Sequence, residues 1–312
     1  MTKRSGLIGK RHLNRERGPF AGERSFFVEI HSICVILCIC TKLIRKGMWM
    51  SLSKRIAFVT GASTGIGKAI AIKLAAQDNV KIIINSRNQS SLEEAQQHIG
   101  RMAETKEPVA LFCGDMSDEG VRAEAFTKIE KEFGRLDVLI NNIPGGKPDT
   151  FDSCDSEQMM AAFSQKAIAY IDMMKRAAAM MKRHEYGRII QIVGNLWKEP
   201  GDQMFTNSMM NAAIINASKN AATQLAPSGI TVNCLNPGFI ATDRYEQFIG
   251  NMMRKQALSR EEAVQAVASG IPMKRVGSAS EMASLAAFIA SEEASYLTGQ
   301  QISVDGGSMK SI

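Results

Sequence analysis

The chain has 312 residues, 45% hydrophobic and 22% charged, with 38 Lys+Arg against 31 Asp+Glu and a formal net charge of +7. The whole surplus lies in residues 1–49, where ten bases face three acids, so the body is neutral and is not a nucleic-acid or anionic-membrane binder by bulk charge. Six cysteines without a CxxC pair exclude a zinc ribbon or a disulfide framework and fit a reducing compartment, hence a cytoplasmic location.

Within the leader, residues 33–40 are apolar but far short of the ~20 residues that a membrane span requires. A signal peptide would want a basic start, an apolar run and small residues at a cleavage site, but here the apolar run starts about thirty residues in, and residues 42–46 supply charge where small residues should stand. The favoured reading of residues 1–49 is a disordered tail or an extension upstream of a working start at Met48 or Met50, ahead of a targeting role.

Residues 50–312 alternate strand and helix signals. Strand runs of β-branched and apolar residues fall at 55–60, 80–85, 109–113, 138–141, 188–193, 231–235 and 301–304. Between them, helical patterns cover 66–77, 90–105 (opened by a Ser cap), 118–133, a long Met/Ala-rich stretch at 156–183, then 209–225, 243–270 and 279–291. Repeated βαβ units predict a single α/β domain: a Rossmann-type, doubly wound, parallel seven-stranded sheet with helices on both faces.

The chemistry-bearing segment is Thr60-Gly61-Ala62-Ser63-Thr64-Gly65-Ile66-Gly67, at the junction of the first strand and first helix. Glycines there let the backbone turn and approach a pyrophosphate, which then sits on the positive helix N-terminus. The TGxxxGxG spacing makes the chain resemble the short-chain dehydrogenase/reductase family. The resemblance runs over residues 54–307 and is carried further by Asp115-Met116-Ser117, Asn141-Asn142, Gly187-Arg188-Ile189-Ile190, Gly229-Ile230-Thr231-Val232-Asn233, Asn236-Pro237-Gly238 with Thr242, and Val304-Asp305-Gly306-Gly307.

The end of the second strand chooses the cofactor. An acid there would bind a ribose 2′-hydroxyl, whereas Asn85-Ser86-Arg87 offers a hydroxyl and a cation to a 2′-phosphate, so NADP(H) is expected over NAD. The alternative is that Arg87 is a solvated loop residue. The resemblance implies that Asp115 and Met116 border the adenine, Asn142 the nicotinamide-side ribose, and Thr242 the carboxamide. It also implies a homo-oligomer, a tetramer or dimer.

The family's usual catalytic set is Tyr-x-x-x-Lys, a Ser thirteen residues before the Tyr, and an Asn on the preceding helix. Ala217-Ser218-Lys219 looks like the end of that motif, with Ile215 at the Tyr position. Counting back without gaps from Pro237-Gly238 instead places Asn211 at the Lys position and Asn207 at the Tyr position. Thirteen residues earlier stands Gly194, and the helix Asn falls on Lys166 within one residue. Thr206-Asn207-Ser208 and Lys198-Glu199-Pro200 resemble a variant subset grouped with 3-oxoacyl-carrier-protein reductases.

A carboxamide cannot give up a proton near neutrality, but it can hydrogen-bond an oxyanion, so Asn207 would polarise a carbonyl while water or Lys166 delivers the proton. Against this stand simpler readings: Asn207 caps a helix starting near Ser208, and Lys166 reaches solvent. Ser208 and Lys198 are further polar candidates. His98 and His184 lie among polar residues, and no spacing suggests a metal. The expected function is NADP(H)-dependent reduction of a small or acyl-chain (3-oxoacyl) carbonyl; the alternatives are a catalytically degenerate nucleotide-binding sensor or scaffold, and a reductase of imines or enones. No nucleic-acid or membrane partner is expected. Tyr245, Phe248, Ile249, Met252 and Met253 in residues 243–270 are expected to face an apolar substrate pocket.

Overall fold

A computed structural model describes residues 54–105 and 107–311; the expectations for residues 1–49 lie outside the described residues. The sheet strands are β1 (Arg55–Val59), β2 (Val80–Ser86), β3 (Ala110–Cys113), β4 (Val138–Asn141), β5 (Gly187–Ile192), β6 (Ile230–Pro237) and, after a two-residue pair β7 (Ile240–Ala241) and β8 (Gly277–Ser278), β9 (Gln301–Val304). Seven of them form a parallel sheet in the order β3-β2-β1-β4-β5-β6-β9. Val59 pairs with Ile84 on one side and with Ile140 on the other, so the order reverses at β1. In open α/β sheets a ligand crevice opens beyond the strand ends at such a reversal.

The strands read as unbroken apolar runs because both faces are covered. Along β1, Ala57 and Val59 join one core cluster while Ile56 and Phe58 join another. The first cluster is closed by α1 (Gly65–Ala75), α2 (Gln89–Met102) and α9 (Ala279–Ile289), through residues such as Ile70, Leu92 and Met282. The second is closed by α3 (Glu119–Phe133), α5 (Ala169–Lys182) and α6 (Phe205–Leu225), through Phe126, Met173 and Ala222.

Five details differ from the sequence expectation. Helix α2 starts one residue earlier, because Asn88 Oδ1, not a serine, accepts the Ser91 N–H at 3.0 Å. The Met/Ala-rich stretch is not one regular helix: α4 (Ser156–Ala162) passes into a π-helical turn (Phe163–Ile168) before α5. Helix α6 begins at Phe205, four residues before the 209 start of the periodic pattern, so Asn207 and Ser208 lie inside it. Residues 243–270 form two helices, α7 (Asp243–Gln256) and α8 (Arg260–Ser269), the second opened by a Ser259/Glu262 capping box. The short β7–β8 pair, Ile240 opposite Gly277, was not legible in so few residues.

The methionines divide by position. Met173, Met174, Met180, Met181 and Met210 are buried, whereas Met160 on α4 is exposed. Among the described residues no helix is long and apolar enough to cross a membrane, and no group of three or more His, Cys, Asp or Glu could hold a metal ion.

Candidate active site

At the sheet reversal, Gly61 adopts φ +59°, and a Cβ there would stand 2.4 Å from the Asn142 backbone oxygen. A Cβ on Gly67 would stand 2.3 Å from the Gly61 oxygen, so the turn is as narrow as a backbone can be made. Asn142 ties it to β4: its Nδ2 donates to Gly61 O at 3.1 Å, and its N–H donates to Thr60 Oγ1 at 2.9 Å. Helix α1 starts at Gly65 behind Thr64, which makes no side-chain cap bond, and has no acid in its first turn. Its first N–H groups and positive dipole end are thus left for an anion. Ser63 and Ile66 are half-buried and Thr64 is exposed. Thr242, the N-cap of α7, closes the other side, its methyl 3.3 Å from where a Gly65 Cβ would be.

Beyond β2, Asn85 donates to Phe112 O at 3.0 Å and Gly114 O at 2.9 Å, locking β2 to the turn after β3. Ser86 Oγ is hydrogen-bonded to the backbone of Asn88. The Arg87 side chain is 71% exposed, and its partner Asp115 lies at 4.0 Å, a weak surface contact that a phosphate can displace. Asp115 Oδ1 meanwhile accepts the Ser117 N–H. Met116 is buried in the core cluster with Phe112 and Phe126, so only its backbone can border a nucleotide.

The four positions obtained by counting converge. Lys166, on the π-helical turn, is only 6% exposed, and its Nζ donates to Asn211 Oδ1 at 2.7 Å. Asn211 Nδ2 in turn donates to Gly194 O at 3.1 Å. Asn207 lies one helical turn before Asn211, and both are buried. A Cβ on Gly145, in the loop after β4, would come within 2.5 Å of Asn207 Oδ1 and 3.3 Å of Lys166 Nζ. Burial pulls the Lys166 ammonium down to about 8, and the positive charge of Arg244 on α7 adds to the shift.

Two of the simpler readings are overturned. Lys166 does not reach solvent, because its turn faces inward against α6. Asn207 does not cap α6, because the N-cap is Met204; its carboxamide grips the loop instead, Oδ1 accepting Gly146 N–H at 3.1 Å and Nδ2 donating to Gly146 O at 3.2 Å. The other polar candidates point elsewhere. Ser208 Oγ donates back to Met204 O, Lys198 lies over the Trp197 ring, and Lys219 of the look-alike motif donates to Gly299 O. Ile215 is packed in a core cluster with Tyr170 and Ile214.

Tyr170, four residues after Lys166, escaped the sequence reading. Its single hydroxyl proton is shared between Ile143 O at 3.1 Å and Ile192 O at 3.0 Å, and burial pushes the group above the ordinary tyrosine range, so it anchors the loop and is a poor acid. Gly145 and Gly146 also escaped it, although the Pro-Gly-Gly-Lys-Pro composition of residues 144–148 signals a special turn. Of the apolar residues expected over the pocket, Tyr245 and Ile249 instead pack with Ala263 to join α7 to α8, with Met252 and Met253 against them. Phe248 is 44% exposed and, with Phe239 5.3 Å away, forms the open aromatic surface of that segment.

The family model described as Enoyl-(Acyl carrier protein) reductase matches residues 61–309. Over 262 residues the chain is 66% identical to the NADPH-dependent reductase BacG of Bacillus subtilis, covering 84% of this chain and 100% of that protein. It is 32% identical to the 3-oxoacyl-(acyl-carrier-protein) reductase FabG of Escherichia coli, covering 83% of this chain and 98% of FabG. Among solved structures, YwfH, an NADPH dependent reductase involved in bacilysin biosynthesis, superposes with TM-score 0.79 at 65% identity, covering 83% of this chain and 100% of that chain. L-Sorbose reductase from Gluconobacter frateurii, complexed with NADPH and L-sorbose, superposes with TM-score 0.78 at 26% identity, covering 83% and 98%. A sheet reversal at β1 with a glycine cradle on it is common to many nucleotide-binding folds, but agreement at this identity along the whole body is not, and the chain belongs to the short-chain dehydrogenase/reductase family, in the group described as Enoyl-(Acyl carrier protein) reductase.

Proposed function

We propose that the protein is an NADPH-dependent reductase of a small-molecule or acyl-chain carbonyl compound, in which Lys166 takes the role of proton donor. The observation that carries this reading is the Lys166 Nζ, buried, hydrogen-bonded to Asn211, drawn down to about 8 and close under Gly145 in the loop after β4. The cradle fits the cofactor: Gly61, Ser63, Thr64, Gly65, Ile66 and Gly67 would hold the pyrophosphate, and Ser86 with Arg87 the 2′-phosphate. Asp115 and the Met116 backbone would border the adenine, with Asn142 and Thr242 on the nicotinamide half. The NADPH-dependent relatives support the same choice of cofactor.

When bound, the cofactor supplies a hydride. The protein must then neutralise the charge that develops on the substrate oxygen. Of the three N–H groups of the ammonium, one is engaged by Asn211 among the described residues, and the other two would serve that oxygen. A donor titrating near the working pH transfers its proton efficiently, and the Asn211 carboxamide, itself fixed by Gly194 O, keeps the resulting amine in place. Asn207, engaged on both edges by Gly146, holds the loop rather than the substrate. The centre thus replaces the family's usual Asn, Ser, Tyr and Lys by Lys166, Gly194, Asn207 and Asn211.

The test is NADPH oxidation against a panel of ketones, 3-oxoacyl thioesters and enones; a flat response across the panel would sink the reading. The second reading, a cofactor-binding sensor or scaffold without turnover, draws on the engagement of Asn207 by Gly146. It requires NADPH binding by calorimetry with no turnover on any substrate. Arg87→Glu is expected to weaken NADPH about 10–100-fold, the range of a lost charge-assisted hydrogen bond, and to leave NADH unchanged. Parallel calorimetry with the two cofactors measures it. Cytoplasmic working as a homotetramer or dimer belongs to the same reading, and light scattering reads the assembly.

A further inference from the structure

The loop of residues 143–149 is pinned at three points. Ile143 O accepts the Tyr170 hydroxyl, Gly146 is gripped on both sides by Asn207, and Asp149 is joined to the start of α6. The last joint answers a local need. Helix α6 is 21 residues long and carries Asn207 and Asn211, yet its N-cap Met204 makes no side-chain cap bond. Asp149 serves from a distance: its Oδ1 accepts Thr206 N–H at 3.0 Å, its backbone oxygen accepts Phe205 N–H at 3.2 Å, and its own N–H donates to Gln203 O at 3.1 Å. One residue thus satisfies two of the N–H groups that the helix start leaves open.

Asp149, Thr206, Asn207 and Gly146 therefore close a ring of contacts between loop and helix. The residue next to that ring, Gly145, lies over Lys166, where even a methyl group would come within 3.3 Å of Nζ. We infer that Asp149 is a positioning residue: by capping α6 it closes the 143–149 loop over Lys166 and keeps water from the amine. The inference rests on the proton-donor reading of Lys166 for its effect on rate, but not for its effect on Lys166 itself. Asp149 serves here as a hydrogen-bond acceptor, and its carboxyl lies below its ordinary value: burial opposes ionisation, and hydrogen bonds from Thr206 and Cys154 outweigh it. The charged group acting on Lys166 is Arg244, from α7, and no carboxylate among the described residues pulls the other way. Burial is the larger of the two influences on the amine's protonation, and Arg244 the smaller.

The experiment is competitive acylation of Lys166 across pH, read by peptide mass spectrometry, alongside the pH profile of kcat/KM. In the wild type both midpoints are expected near 8. Asp149→Ala opens the loop and rehydrates the amine, so the labelling midpoint moves up by roughly one unit or more and the alkaline limb of the rate profile moves with it. Asp149→Asn loses the charge but keeps an acceptor for Thr206 N–H, and it restores the wild-type midpoint. A destabilised but still closed protein would lose activity without moving either midpoint, and a midpoint unchanged in Asp149→Ala overturns the inference whatever kcat does. A labelling shift with no alkaline limb in any variant supports the loop closure and overturns the proton-donor reading instead. Should Asp149→Ala fail to fold, Asp149→Leu fills a similar volume without an acceptor for Thr206 N–H; the same upward shift is expected, and its absence overturns the inference.

Discussion

Lys166→Met is expected to lower kcat by about 10²–10⁴-fold, the usual contribution of a positioned proton donor, with NADPH affinity unchanged because the cradle is built from other residues. The wild-type rate should fall as pH rises through about 8, since the acid form is the one that donates. The same residue gives an independent signature in stability. Its ammonium is drawn from 10.5 to about 8 in the folded chain, so below that value both folded and unfolded forms carry the proton, and between the two values the unfolded chain binds more. Wild-type stability therefore rises with pH over that interval, and Lys166→Met lacks the rise. Denaturant titrations at pH 7 and pH 10 check the sign. An undiminished kcat in a folded Lys166→Met protein would remove the amine from the mechanism.

Gly67→Ala is expected to have the other large effect, on the cofactor. Its Cβ would meet the Gly61 backbone oxygen, which cannot swing away, at 2.3 Å and Asn142 Nδ2 at 2.6 Å. Relieving the contact means breaking the Asn142–Gly61 hydrogen bond that shapes the turn. Overpacking of this kind costs about 1–3 kcal/mol of stability. NADPH affinity should fall roughly tenfold or more, one such step being about 1.4 kcal/mol. Gly100→Ala is the control: nothing lies within 4 Å of that position in α2, so the change should be neutral or stabilising by up to about 1 kcal/mol. Thermal unfolding and calorimetry with NADPH measure both variants, and full NADPH binding by Gly67→Ala would refute the placement of the pyrophosphate.

The sheet was legible because its signals are local. Runs such as Val80-Lys81-Ile82-Ile83-Ile84 between turn residues, and the glycine spacing from Gly61 to Gly67, report strand and cradle without reference to anything distant. The convergence of Lys166, Gly194, Asn207 and Asn211 was legible too, but only by counting from motifs on either side, because nothing in an Asn or a Lys announces a site. What the sequence hid depends on partners far along the chain. Asn207 was open to reading as a cap since its grip on Gly146 spans 61 positions. The true start of α6 was missed because its cap, Asp149, lies 57 positions from Thr206. The apolar residues of α7 gave no hint of whether they face a substrate or α8, a choice made by tertiary packing alone.

The π-helical turn that carries Lys166 amounts to a one-residue insertion absorbed inside a helix rather than in a loop. It puts α4 and α5 out of phase by about 100°, one residue's rotation in a helix of 3.6 residues per turn. Deleting a single neighbour such as Gln165 would let the two helices merge into one regular rod and swing the amine off Asn211, with the chain before and after it still well folded. An alignment that pushes its gap into the nearest loop would number this helix wrongly by one and assign the role of Lys166 to the residue beside it.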